Sequence, residues 1–272
     1  MTSTRTAAIA TAVCAICMVA AAVTGARVRA QSRPAAAPPP PLGALAPANL
    51  AKPRPKPPFD LTGTWQHDGR ANTWRFVPET FKLTPQAQVH FEAGQKALKA
   101  GGVYRDDIGQ CWPAGMPLIM TRVWPIAMIQ LPTAIYMVSA FENALRIIYL
   151  DGRPHTPADE VVRSFNGESI GHWDGDGLVV DTIYFPGHHQ WMDQGGASVP
   201  VSEDLHITER FRMTGNGTLD IDYSMTDPQN WEGEWKFTKT FRRKDDTDIT
   251  EVECLPDLNE HLPATSSKML VK

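Results

Sequence analysis

The chain has 272 residues, 21% of them charged, and a formal net charge of −4. So mild an acidic excess leaves no basic footprint for nucleic acid, which excludes nucleic-acid recognition as a role. The length suits one domain with a sizeable core once the terminal segments are set aside.

The first segment reads as a signal for export rather than as part of the fold. Arg5 gives a positive start, Ala7 to Val23 is apolar, and Val28-Arg29-Ala30 precedes Gln31. This pattern predicts a signal peptide over 1–30, and a periplasmic or secreted protein with no stable membrane span once the signal is removed. The competing reading is an anchor, since the apolar run is about the minimum length for a span. Residues 31–58 are rich in Pro and Ala and predict a disordered linker. The folded domain is expected over 59–262, followed by a disordered tail over 263–272.

Two of the four cysteines fall in the signal, which leaves Cys111 and Cys254. An oxidising exported compartment makes a disulfide between them the default. Neither has a Cys or His partner at ligand spacing, so no metal is expected there.

The elements follow in chain order. Leu61 to Trp65 and Thr73 to Val77 read as strands around His67-Asp68-Gly69. Thr84 can cap a helix running from Gln86 to Ala100, with Pro85 in its first turn and Gly101-Gly102 ending it. Ala134 to Ala140 and Leu145 to Asp151 read as strands, and residues 168–185 as a β-hairpin. Asp204 to Met213 and Thr218 to Met225 flank a Gly-Asn-Gly turn. Lys236 to Arg243 and Ile249 to Cys254 complete a series of short strands. Such a meander predicts a mainly β fold, closed into a barrel or strongly curved sheet with the helix packed outside. Several strands are apolar on both faces, which favours closure.

The 168–185 hairpin carries the most informative pattern. A two-residue turn at Asp174-Gly175 or Gly175-Asp176 puts Glu168, Ile170 and His172 on one face with Val179, Asp181 and Ile183. Two carboxylates and an imidazole on an otherwise apolar face make either a pocket or a satisfied structural network. A one-residue slip of register would reverse the set.

Several stretches resemble a widespread family of exported bacterial proteins of unknown function. They are Leu83-Thr-Pro85, Cys111-Trp-Pro-Ala-Gly-Met-Pro117 and Ile148-Tyr-Leu-Asp151-Gly-Arg153-Pro-His155. They continue with Gly167 through Thr182, Leu205-His206-Ile-Thr-Glu209-Arg210-Phe211, and the end near Cys254. The resemblance runs from about residue 60 onward. It implies export and a mostly β fold, and no reaction. Similar proteins often carry His where this chain has Glu168. Gly63-Thr64-Trp65 is similar to the opening Gly-x-Trp of lipocalins, which implies a lipocalin-like barrel with Arg242 or Arg243 packed over Trp65.

The candidate catalytic residues are His172, Glu168 and Asp181, with His155 and Asp151 in the Asp-Gly-Arg-Pro-His loop. Arg153 can hold an anion, although Asp-Gly and Pro154 also suit a plain turn. His188, His189 and Trp191 lie in a long loop that reads as a mobile cover contacting a ligand. The histidine spacing matches no standard metal site, so no metal is predicted. Glu209 shares its face with Leu205, Ile207 and Phe211; it is either paired with a buried arginine or a raised-pKa acid in a pocket. Tyr184 belongs to an aromatic set able to line a pocket.

No nucleophile elbow, phosphate loop or dinucleotide fingerprint is present, and no cofactor is implied. Three readings stand. The first is an exported barrel that binds a small apolar or aromatic molecule. The second is a metal-independent acid–base enzyme, a lyase, isomerase or hydrolase, using His172 or His155 with Glu168 and Asp181 in the same pocket. The third is a cell-envelope interaction protein.

Overall fold

An odd number of strands cannot alternate in direction all the way round a closed ring, and this parity shapes the molecule. The computed structural model describes residues 39–54, 57–99, 107–192, 199–215, 217–255 and 257. The chain divides into two units, Met1–Pro40 and Pro41–Lys272, and every described element belongs to the second. Nine strands close in sequence order into a barrel: β1 Gly63–His67, β2 Ile126–Gln130, β3 Ala134–Ser139, β4 Leu145–Tyr149, β5 Glu168–Asp174, β6 Gly177–Ile183, β7 His206–Gly215, β8 Thr218–Thr226 and β9 Trp235–Arg243. β9 pairs with β1 to complete the ring. Every neighbouring pair is antiparallel except β4 and β5.

A parallel pair needs a connection that travels back along the barrel before the next strand begins. Residues 150–167 make that crossover. The parallel ladder itself is short, pairing only Ile148 with Ser169 and Tyr149 with Ile170.

The mainly β, closed-barrel expectation is what the structure shows. Its interior is filled by side chains. Trp65, Phe211, Phe241, Ile148 and Val180 are fully buried on the inward faces of their strands. Phe76, which lies on no strand, meets Tyr223 and Phe237 edge-on at 5.0 and 5.7 Å. The segment around Phe76 therefore acts as a plug.

Thr73 to Val77 is not the strand that the sequence suggested. Its carbonyls are taken by side chains: Lys239 Nζ donates to Thr73 O and Arg75 O, both at 2.6 Å, and Thr121 Oγ1 donates to Trp74 O. Ile249 to Cys254 is not a strand either. Asn143 holds it, giving a side-chain hydrogen bond to Val252 O and accepting one from Val252 N. β2 has no counterpart among the strands expected from the sequence.

The helix α2 spans Pro85–Lys99, and α1, Pro47–Leu50, precedes it. Thr84 caps α2, its Oγ1 accepting from Ala87 N at 3.3 Å. The helix buries Ala87 and sets Phe91 edge-on against Phe81.

The linker boundary needs correction. Over residues 41–54, inside the 31–58 stretch expected to be disordered, α1 forms and Asn49 Nδ2 donates to Leu42 O and Gly43 O. Arg54 pairs with Asp60 at 3.0 Å, and Leu42 O accepts from Arg153. A side chain that closes its own loop holds this stretch on the domain despite its prolines. The signal peptide over 1–30 and the tail over 263–272 lie outside the described residues. Among the described residues, no helix is long and apolar enough to cross a membrane.

Trp65 donates from Nε1 to Leu61 O at 2.8 Å, and the Arg243 guanidinium lies 5.7 Å from its ring centroid. Gly63 makes room for this arginine. Its φ is +145°, and a Cβ there would sit 2.9 Å from Arg243 Nη2. The Cys111–Cys254 disulfide is formed.

Candidate functional site

The β5–β6 hairpin turns at Gly175-Asp176, with Asp174 opposite Gly177 and Gly175 at φ +59°. Ile170 pairs with Asp181, Glu168 with Ile183 and His172 with Val179. Glu168, His172 and Asp181 therefore share one face. That face is the outer one: Ser169, Gly171, Val180 and Thr182 are the buried residues pointing inward. Of the two readings of this face, a pocket or a satisfied polar network, the geometry forms an external network, onto which the crossover brings His155 and Thr156.

His155 comes down from the crossover onto this face. Its Nδ1 lies 2.8 Å from Glu168 Oε2 and its Nε2 lies 3.1 Å from Asp181 Oδ2. A carboxylate only accepts, so the ring makes both bonds at once only when both nitrogens carry hydrogen. Thr156 adds two donors to Glu168, its N–H at 2.9 Å and its hydroxyl at 2.5 Å. Tyr184, the residue after β6, has a left-handed φ of +72° and donates from its hydroxyl to Thr156 O at 2.8 Å. On the far side His206 Nε2 contacts Asp181 Oδ1. The result is a continuous line: Thr156, Glu168, His155, Asp181, His206.

His206 and Thr156 were not singled out as site residues from the sequence. The register explains His206. Asp181 pairs with Thr208, so His206, two residues earlier, is the diagonal neighbour on the same outer face. Cross-strand neighbours of this kind fall within reach of long side chains.

The remaining candidates are placed differently. His172 is exposed near the end of β5 and makes no hydrogen bond among the described residues, so it does not join the cluster. Asp151 holds Arg153 through two bonds, at 2.6 and 2.8 Å, and not His155. Arg153 also lies 3.9 Å over the Tyr149 ring and donates to Leu42 O. It is occupied as a structural clamp, with Gly152 at φ +77° in the turn. Trp191 is buried, donating to Asp107 Oδ2 at 2.7 Å, and Met192 is fully buried beside it. These two are core and not a mobile cover, because Val199, Val201 and Leu205 bury with them. The rest of that loop, 193–198, lies outside the described residues. His189 stacks flat on Trp112 at 3.9 Å, and His188 stands edge-on to the same ring. Glu209 faces inward and is fully buried against Arg146, which also donates to Ser169 Oγ and Thr182 Oγ1. This is the paired arrangement.

A groove of about 360 Å³ opens beside the cluster, along the outer edge of β4. Leu145, Ile147, Tyr149, Thr156, Asn166 and Glu168 line it, with Val161 and Val162 from the crossover. Its rim is mixed and open to solvent: Val162 is 91% exposed and Leu145 50% exposed, and the exposed Glu160 and Ser164 lie beside them. The short parallel ladder causes the opening. β5 covers only the last two residues of β4, and Asn166 Nδ2 reaches Leu145 O in place of a strand.

No family model and no curated protein matches the chain. Among solved structures it is similar to a crystal structure of a mutant of the fluorescent protein UnaG, at 12% identity and a TM-score of 0.30. That match covers 68% of this chain and 96% of the other. The barrel rests on the strand pairing itself.

The charges of the cluster set a pH window. Burial works to raise the Glu168 carboxyl, but the Thr156 donors and His155 outweigh it and hold it below its ordinary 4.5. Burial likewise opposes Asp181, and the bonds and charges of His206 and then His155 hold it below 3.8. Asp181 in turn raises His206 above its ordinary 6.5, against partial burial. The carboxylate contributions are complete above the ordinary acid values and vanish as pH falls through the lowered ones. The His206 contribution is complete below 6.5 and vanishes as pH rises through the raised value. The cluster therefore stabilises most between pH 4.5 and 6.5. Urea midpoints of wild type and Asp181→Asn, measured across pH, should differ most in that window. A difference independent of pH would contradict this account.

Proposed function

We propose that the protein is an exported barrel that binds a small molecule on its outer surface, in the groove at the β4–β5 seam. The observation that carries the reading is the groove itself. Its volume is at the lower end of the range typical of ligand sites, about 300–1,000 Å³. Its exposed valine and leucine rim offers contact to an apolar or aromatic part of a ligand, and Glu168, Thr156 and Asn166 offer polar anchoring. The filled interior directs the ligand to the outside. The signal pattern supports a periplasmic or secreted location, and so does the resemblance to exported bacterial proteins.

A second reading is favoured by the contact of His155 with Glu168 at the groove's edge. An imidazole beside a carboxylate is an acid–base pair, suited to a metal-independent elimination, isomerisation or hydrolysis in the same groove. Glu168 lines the groove and His155 stands behind it.

A thermal-shift screen of small aromatic and aliphatic compounds tests both. Ligands should raise the melting temperature of wild type by several degrees and lose that effect in Val162→Glu and Leu145→Glu, which alter exposed rim positions without touching the core. Hits that stabilise these variants equally, or a screen with no hits, would remove the groove from consideration. Turnover of a hit that His155→Asn abolishes in a folded protein would establish the second reading over simple binding.

A further inference from the structure

His67 lies on the inner face of β1 and is 4% exposed, and neither ring nitrogen has a hydrogen-bond partner in the protein. Two aromatic rings enclose it. Trp74 stands edge-on at 4.5 Å and Phe241 at 5.7 Å. Burial, reinforced by the nearby Lys239 charge and only partly opposed by Asp68, pushes its pKa down to about 4. A neutral imidazole with both nitrogens unpaired is a poor choice for packing alone. Leaving a buried polar group unpaired destabilises a fold, where an aliphatic side chain would not. Such groups are uncommon and call for a physical reason.

The surroundings supply one. His67 lines a depression of about 830 Å³, with Gln66, Asp68, Arg70, Trp74, Val123, Arg242 and Lys244. The acid of this set is already engaged: Asp68 accepts from Arg242 Nε at 3.0 Å and from Arg70 N at 3.1 Å. Arg70 and Lys244 carry no ion pair among the described residues, so the depression holds two uncompensated cations. Trp74 covers His67 and is half open to solvent. Gly69 gives it that place, since a Cβ there would lie 2.3 Å from the indole.

We propose that this end of the barrel is an anion site, separate from the β4–β5 groove, for a small molecule bearing a carboxylate or a phosphate. His67 donates an N–H to the bound oxyanion. Arg70 and Lys244 supply the charge, and Trp74 swings to admit the ligand and closes against its apolar part. The unmade bonds of His67 are then made on binding.

Calorimetric titration of the protein with inorganic phosphate and, separately, with benzoate tests the site and distinguishes the two head groups. Saturable binding of at least one anion is expected, with a shift of the His67 ring nitrogen resonances. Binding should weaken at least tenfold in His67→Leu and in the double variant Arg70→Ala/Lys244→Ala. Absence of saturable binding to both anions overturns the proposal. So does binding that both variants leave unchanged. So does loss in the charge variant with His67→Leu unaffected, since the surface cations alone would then hold the ion. If His67→Leu does not fold, the double variant together with the His67 resonances decides.

Discussion

Replacing Cys111 and Cys254 together by serine should lower stability by about 4–5 kcal/mol, a large share of what a domain of this size has. The bridge closes a loop with a sequence separation of 143, among the longest the domain allows. On the chain-entropy model, a loop of that length constrains the unfolded chain most. The native-state contribution of the tail is small by comparison. Val252 and Cys254 are only half-buried, and the segment adds no strand to the barrel. Apart from the bridge, the contacts that hold it among the described residues are those of Asn143 with Val252 and the approach of Cys254 Sγ to Ile108 O at 3.9 Å. The loss should therefore come from the unfolded state, leaving the barrel's spectra intact. Urea unfolding of the double serine variant, and of wild type in reductant, should show the same lowered midpoint. A change of less than about 1 kcal/mol would mean that the unfolded chain is already confined by other means.

The sequence was most readable where chemistry is local. Thr84 before Pro85, the Gly175 turn and the parity of Glu168, His172 and Asp181 are set by residues a few positions apart, and the structure has all three. What parity does not state is which face is inside. Val179 and Ile183 made the outer face look like a lining, and they are half-buried there. The cause lies far along the chain: nine strands force one parallel seam, and the crossover lies over that face. For the same reason the partner of Glu168 is His155 and not His172, although His172 is nearer in sequence. The register of β7 against β6 depends on the long connection between them, so the diagonal pairing of His206 with Asp181 had no local signal. β2 was missed because Ile126 to Gln130 is a five-residue apolar stretch bounded by Pro125 and Pro132, with too little alternation to separate it from its surroundings.

Arg146→Met should cost about 3–5 kcal/mol, whereas Arg146→Met combined with Glu209→Leu should cost far less. Both side chains are buried, at 1% and 0% exposure, and the guanidinium meets the carboxylate through two bonds. Removing the arginine alone leaves an unpaired carboxylate facing Tyr223, whose hydroxyl pKa burial and the Glu209 charge already raise. Removing both takes away the charge along with its partner. The two hydroxyls that Arg146 serves need not be stranded, since Ser169 Oγ and Thr182 Oγ1 already lie 2.9 Å apart and can bond each other. A double-mutant cycle by urea unfolding should therefore give a coupling energy of about 3 kcal/mol. Additive losses would show that the two residues act through packing and not through their charges. The cycle also bears on function, because Arg146 sits in β4 beside the groove while its side chain points the other way, into the barrel. A double variant that keeps its fold and loses ligand stabilisation would show that the buried pair sets the position of the β4 backbone that borders the groove. One that keeps both would confine the pair to specifying the barrel.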